Sequence, residues 1–241
     1  MLSDLMKHKS LFLSKQNIYE LGQVLLIDKP YDWTSFDVVL KLRQAMKIKK
    51  VGHAGTLDPL ATGLLILCTG SYTKRINEYV SREKEYSGTL VLGAVTPTYD
   101  LESEPIPMKS FHGVTNEQIV EASNHFTGEL NQVPPSHSAV KLGGRRVYEL
   151  ARKGVEVNLA PRKIIIRNFV IEKISLPEIQ FRVVCSTGTY IRSLANDFGV
   201  FLGCGGYLSS LCRTRIGEFK LEDALTIEAA IEQIKKNLSF G

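Results

Sequence analysis

What the chain lacks narrows it first. Its 241 residues hold only four cysteines, and Cys68, Cys185, Cys204 and Cys212 form no C-x-x-C pair and have no histidine at zinc-finger spacing. They read as reduced structural thiols, neither a disulfide framework nor a zinc site. His8, His53, His112, His125 and His137 show neither H-E-x-x-H nor H-x-E spacing, and there is no G-x-x-x-x-G-K-[ST] loop and no G-x-G-x-x-G turn. No metal, nucleotide triphosphate or dinucleotide cofactor is therefore expected. No apolar run approaches the roughly 18 to 20 residues of a membrane span; the best, residues 60–68, is broken by Thr62 and Gly63. Residues 1–23 scatter Asp4, Lys7, His8, Lys9 and Lys15 among leucines, with no uninterrupted apolar stretch and no small-residue cleavage site. A cytoplasmic protein without a secretory leader or membrane anchor is expected.

What is present is an ordinary globular composition, 44% hydrophobic and 23% charged, with an uneven charge distribution. The length suits one large domain or two small ones and can bury a core without disulfides. The net charge is +5, but residues 38–57 carry Lys41, Arg43, Lys47, Lys49 and Lys50 with no acid. Residues 136–171 carry eight basic side chains, including Arg145, Arg146, Arg152 and Lys153, against Glu149 and Glu156. The rest of the chain is left at −6. Either block alone is by default a solvated face. Two blocks on an otherwise acidic chain are the footprint of phosphate contacts on a nucleic acid.

The periodicities predict strands over 24–28, 63–68 and 86–92, and an antiparallel pair over 164–174 and 178–185 turning at Pro177; a strand also follows Gly203. Helices are predicted from a Thr34 or Ser35 cap through Met46, over 72–80, from a Thr115 cap to 126, over 190–201 and over 226–238. Residues 51–59 and 97–114 read as loops, the second exposed. Strands and helices interleave without a regular βαβ period, which predicts a mixed sheet and not a Rossmann array or TIM barrel.

The most informative segment is Gly52-His53-Ala54-Gly55-Thr56-Leu57-Asp58-Pro59, continuing to Gly63, where small residues surround one carboxylate. Such a loop allows close approach of a ligand to backbone. An isolated Asp-Pro is by default a turn, His53 a structural histidine, Tyr86 a half-buried strand aromatic and Arg192 a surface ion-pair partner. The residues alone lead to acid–base or carboxylate-nucleophile chemistry on a nucleic acid, with the reaction left open.

Five ordered motifs then carry a resemblance. Residues 52–63 resemble the catalytic-aspartate motif of the TruB family of tRNA pseudouridine synthases. Asp28-Lys29-Pro30 with Thr34-Ser35 is similar to its lysine-proline motif, and Lys84-Glu85-Tyr86-Ser87-Gly88 to its tyrosine strand. Val133-Pro134-Pro135 with Ser138-Ala139, Lys141, Gly144 and Tyr148 resembles its central segment. Gly188-Thr189-Tyr190-Ile191-Arg192 resembles its arginine motif, and Leu211 with Arg213-Thr214 fits the strand beyond.

The resemblance implies an α+β fold with a mixed, largely antiparallel central sheet and flanking helices, the pseudouridine synthase fold. It would form a single catalytic domain over 1–241, with a core of about residues 24–226 and no C-terminal PUA domain. It implies isomerisation of the TΨC-loop uridine of tRNA by base flipping, cleavage of the glycosidic bond and reattachment through carbon, with no cofactor and no metal. Asp58 matches the catalytic aspartate, acting covalently or through a glycal intermediate. Arg192 matches the arginine paired with it, and Tyr86 the tyrosine that stacks on the base and takes part in proton transfer. His53 matches the residue that fills the vacated space, Tyr190 and Leu211 line the uracil pocket, and Lys29 supports the active-site strand. Lys41, Lys47, Lys49, Lys50, Arg145 and Arg146 would meet the RNA backbone of the T arm, the partner of a monomeric enzyme. Asp32 stands where the family has glycine, and His137 where an aromatic such as tyrosine is usual. A non-catalytic T-arm binding protein and a synthase for another RNA are the alternatives.

Overall fold

The computed structural model describes residues 17–136, 138, 141–142, 145–147 and 159–240, with backbone alone at 141, 142, 145, 146 and 240. In chain order the first elements are helix α1 (Ile18–Leu21), strand β1 (Val24–Lys29), helix α2 (Ser35–Met46), strands β2 (Val51–His53) and β3 (Thr62–Thr69), and helix α3 (Ile76–Val80). Strands β4 (Lys84–Leu92), β5 (Ala94–Val95) and β6 (Ile106–Pro107), helix α4 (Asn116–His125), and strands β7 (Gly128–Gln132), β8 (Lys141–Leu142) and β9 (Arg145–Arg146) follow. Strands β10 (Arg162–Ser175) and β11 (Glu178–Cys185), helix α5 (Ile191–Phe201), strands β12 (Gly206–Ile216) and β13 (Phe219–Lys220), and helix α6 (Ile227–Phe240) complete them.

The described residues form two compact units, one drawn from 17–59, 63–80 and 219–240, the other from 60–62 and 81–218. In the first, β3 pairs antiparallel with β1 from Val24↔Cys68 to Lys29↔Gly63, and with β2 from Val51↔Thr69 to His53↔Leu67. Residues 64–68 of β3 are wholly buried, as expected of a continuous apolar strand. Val38, Leu42 and Met46 of α2 join Ile227 and Ile234 of α6 in the core over Leu65 and Leu67. Helix α2 begins where it does because Thr34 and Asp37 form a capping box. The Thr34 hydroxyl accepts from the Asp37 amide at 3.0 Å and the Asp37 carboxylate accepts from the Thr34 amide at 2.9 Å, an arrangement worth about 1 kcal/mol.

In the second unit the ladder runs β12–β4–β11–β10–β7, every pair antiparallel. Helix α5 packs on β12 and α4 on β10. Phe169 sits between Phe181 and Phe198, with ring centroids 5.6 Å apart in both contacts. At Gly199 and Gly206, α5 and β12 come so close that a Cβ would strike backbone. Parallel partners occur only as the isolated bridges Ile27–Leu225 and Asp100–Leu208 among the described residues. The α+β class and the largely antiparallel sheet match the expectation. Among the described residues no helix is long and apolar enough to cross a membrane.

Three local expectations are corrected. Residues 51–53 are a strand, because β3 offers its edge to them. The helix expected over 72–80 is a 3-10 helix over Gly70–Arg75 followed by the short α3; it starts at Gly70, at φ 50°, where a Cβ would strike the Glu20 carbonyl and whose amide donates to the Lys50 carbonyl at 2.9 Å. Residues 97–114 are not uniformly exposed, since β6 pairs with β5 and Thr98 and Asp100 are buried. The strand β7 carried too weak an alternation to be predicted.

Candidate active site

Asp58 lies in the first unit, half-buried between Leu57 and Pro59, and both neighbours are tied to the turn that leads into α2. The Leu57 amide donates to Ser35 Oγ at 2.8 Å, and that hydroxyl donates back to the Leu57 carbonyl at 3.2 Å. On the other side the Asp32 amide donates to the Pro59 carbonyl at 3.0 Å. Lys29, with 0% exposure, donates from Nζ to the carbonyls of Pro59, Pro30 and Trp33 at 3.1, 2.9 and 2.5 Å. A buried ammonium is tolerated only when its donors are matched, and three carbonyls match its three. Lys29 thus holds the Asp58 segment through the Pro59 backbone. Gly55 and Gly63 take φ of 93° and 98°, giving the loop two turns that a side chain would strain. His53 closes β2, half-buried. Asp32 adopts φ 61°, a left-handed conformation that aspartate tolerates better than most residues.

The other expected side chains lie in the second unit. Tyr86 is on β4, 9% exposed, on the same buried face as Lys84. Across the ladder it stands opposite Val183 of β11 and Arg213 of β12, and Arg213 is itself buried. Burial lowers the Lys84 ammonium to about 8, with the Arg213 charge adding to the shift. Burial likewise raises the facing Cys185 thiol to about 11, which marks it as an inert structural thiol. Leu211, opposite Gly88, is almost buried, and its carbonyl accepts from Thr62 Oγ1 at 3.5 Å.

Arg192 is the second residue of α5 and is 3% exposed, so its default reading as a surface ion-pair partner is wrong. Its Nη1 donates to the Thr98 carbonyl at 3.0 Å, and its Nε lies 3.5 Å from the carboxylate of Asp100, which is also buried. Sequence reasoning missed Asp100, counting it among acids of an exposed loop. No local pattern marks it, because its partner is on a distant helix. Tyr190, the N-cap of α5, is clasped by Gln132 of β7: its amide donates to Gln132 Oε1 at 2.8 Å and Gln132 Nε2 donates to its carbonyl at 3.0 Å. Ser193 donates to the Val133 carbonyl at 2.9 Å. The start of α5, which bears Arg192, is therefore fixed by β7 and the 97–100 segment together.

Lys41, Lys47, Lys49 and Lys50 are exposed. Arg145 and Arg146 form β9, paired with β8. Tyr148, Arg152, Lys153, Gly144 and His137 lie outside the described residues. Part of the second basic block is structural, since Arg167 pairs with Glu83 at 2.8 Å.

Residues 43–191 match the TruB family pseudouridylate synthase (N terminal domain). The chain is 49% identical over 217 residues to tRNA pseudouridine synthase B of Phocaeicola vulgatus, spanning 88% of this chain and 92% of that one. It is 50% identical over 213 residues to the enzyme of the same name from Bacteroides fragilis, spanning 86% and 91%. Among solved structures it resembles a Cbf5-Nop10-Gar1 complex with a TM-score of 0.70 and 29% identity, over 89% of this chain and 54% of that chain. The chain belongs to the TruB family of pseudouridylate synthases.

Proposed function

We propose that the protein isomerises the TΨC-loop uridine of tRNA to pseudouridine, with Asp58, Tyr86 and Arg192 as its catalytic residues. The observation that carries the reading is that all three occur in their motifs within a chain about half identical to enzymes named for this tRNA reaction. On this reading the target base leaves the loop's stack, at a cost of a few kcal/mol offset by contacts in the pocket. His53 occupies the space it vacates, Tyr190 and Leu211 enclose the uracil, and Tyr86 stacks on it. The bond from ribose carbon to base nitrogen breaks, the base turns, and a bond to carbon 5 forms. The hydrogen of carbon 5 leaves as a proton, for which the Tyr86 hydroxyl is the acceptor, and a proton returns to the freed nitrogen, so the reaction is an isomerisation with no net reagent.

Asp58 assists cleavage as a carboxylate, and Arg192 is the cation that acts with it, a role suited to a guanidinium fork that can meet a carboxylate in two parallel hydrogen bonds. The pinning of Leu57 and Pro59 supports this assignment, because a catalytic carboxylate gains from a backbone that cannot drift. The burial of Arg192 against Asp100 and Thr98 supports a held guanidinium for the same reason. The enzyme acts on the T arm as a cytoplasmic monomer, needing neither metal nor nucleotide. Lys29 supports the Asp58 segment through the Pro59 carbonyl.

The test is tritium release from tRNA transcribed with uridine labelled at carbon 5, followed by mapping of the modified position. Wild-type release mapped to the T loop is expected, and Asp58→Asn should lower the rate by at least about a thousandfold, roughly 4 kcal/mol, while tRNA binding changes little. Equal release from Asp58→Asn removes the aspartate assignment. Tight binding without release from the wild type favours a T-arm binding protein, and release mapped elsewhere replaces the substrate.

A further inference from the structure

The turn that pins the Asp58 segment carries two side chains that the fold does not use. Tyr31 and Phe36 are 57% and 59% exposed, more than any other aromatic among the described residues. Each is one position from an anchor of the loop: Tyr31 precedes Asp32, whose amide holds Pro59, and Phe36 follows Ser35, which holds Leu57 on both of its polar groups. Trp33 between them is packed on the core. Neither Tyr31 nor Phe36 stacks on another ring among the described residues. Two large aromatics left in water beside a reactive carboxylate cost solubility and return nothing to folding.

Phe36 also heads a stripe. At about 100° per residue, Leu40 and Arg43 fall within about 40° of it around α2, whereas Lys41 lies about 140° away; Lys47 follows as the left-handed C-cap of the helix. Arg43 and Lys47 make no ion pair among the described residues, and Lys49 and Lys50 follow directly, exposed. From the Asp58 loop outward the surface thus passes from two flat rings to a run of uncommitted cations. That combination fits unpaired nucleotides, whose bases stack on rings of any sequence and whose phosphates meet the cations.

We propose that Tyr31 and Phe36 form a stacking platform for unpaired nucleotides of the RNA substrate beside the Asp58 loop, and that Arg43 and Lys47 continue it as a phosphate track along α2. This rests on the reading of the protein as an RNA-modifying enzyme and names the part of its surface that holds the strand next to the target.

The experiment measures the affinity of a fluorescent T-arm hairpin and of whole tRNA, alongside single-turnover tritium release at saturating RNA. Tyr31→Ala and Phe36→Ala should each weaken binding about tenfold, with the salt dependence of binding, the rate at saturation and the thermal midpoint close to wild type. Phe36→Trp, which keeps a stacking face, should restore affinity, and Val200→Ala, which removes exposed apolar surface elsewhere, should leave it unchanged. Arg43→Gln with Lys47→Gln should instead reduce the salt slope by about two. Unchanged hairpin affinity in both alanine variants, with wild-type turnover intact, overturns the platform and leaves the enzymatic reading standing. An equal loss in Phe36→Trp overturns stacking. Loss of self-association without loss of RNA affinity makes the face a contact between copies and overturns the proposal. A wild type that binds but never releases tritium, with binding still lost in the alanine variants, removes the proposed reaction and retains the platform.

Discussion

Lys84 and Lys29 are both buried ammonium groups, and they differ in what surrounds them. Lys29 donates to the carbonyls of Pro30 and Trp33 in the turn before α2 and of Pro59 in the Asp58 loop. Lys84 donates to the Arg82 carbonyl at 2.6 Å and shares its neighbourhood with the Arg213 charge. Its pKa falls from 10.5 to about 8 because burial disfavours the charged form, and Arg213 adds to this. Between those two values the unfolded chain binds a proton that the native state has released, so the group adds stability as pH rises through that window and costs most below it. The difference in unfolding free energy between wild type and Lys84→Met, read from urea titrations, should therefore shift in favour of the wild type from about pH 8 to about pH 10.5. A difference that stays flat over that range refutes the buried-charge account. Neither residue's burial was legible in the sequence. A lysine in Asp28-Lys29-Pro30 or after Arg82 looks like any surface lysine until the chain closes around it.

At the scale of elements, β4 is the strand most constrained by its neighbours. It is paired on both sides, by β11 and β12, and it carries Tyr86 and Lys84 on one face. Gly88 is the point of closest approach: a Cβ there would lie 2.6 Å from the Ser210 carbonyl oxygen and 3.0 Å from the Phe181 ring. The carbonyl belongs to a paired strand and cannot rotate away. Gly88→Ala should cost about 1 to 3 kcal/mol and lower the thermal midpoint by several degrees, measured by calorimetry. An unchanged midpoint means the ladder yields more easily than its register suggests. Elements with a local cause were legible in advance. Helix α2 was readable from its Thr34 cap and the spacing of Val38, Leu42 and Met46, and α4 from Thr115, whose capping box with Gln118 is formed. The short β2 and the 3-10 turn at Gly70 were not, because each has a partner distant in sequence, the edge of β3 in one case and the Lys50 carbonyl, which accepts from the Gly70 amide, in the other.

For the whole molecule the relevant quantity is the arrangement of charge. A net +5 hides a concentration of cations after α2 and around β9 and β10. The structure divides those cations into two kinds. Arg167 of β10 pairs with Glu83, which Arg215 of β12 also meets, so this cation neutralises a carboxylate of its own unit. Lys49 and Lys50 are exposed without such partners among the described residues. Replacing both with glutamine should weaken binding to tRNA and to unrelated RNA alike and reduce the dependence of affinity on salt by about two counter-ions. A loss confined to one sequence, with the salt slope unchanged, would contradict a phosphate role.

The sequence by itself determined the class of protein, the family and the candidate residues Asp58, Tyr86 and Arg192, because the motifs that carry them are contiguous runs whose residue types depend on neighbours a few positions away. It also determined most strands and capped helices, which follow from periodicity and local hydrogen bonding. Only the tertiary structure decided that Arg192 is buried against Asp100 and Thr98, that Lys29 holds the Pro59 carbonyl, and that Tyr31 and Phe36 stand exposed on either side of the turn that pins Asp58. Those are facts of burial and long-range pairing, set by which segments the folded chain brings together, and a linear pattern carries no record of them.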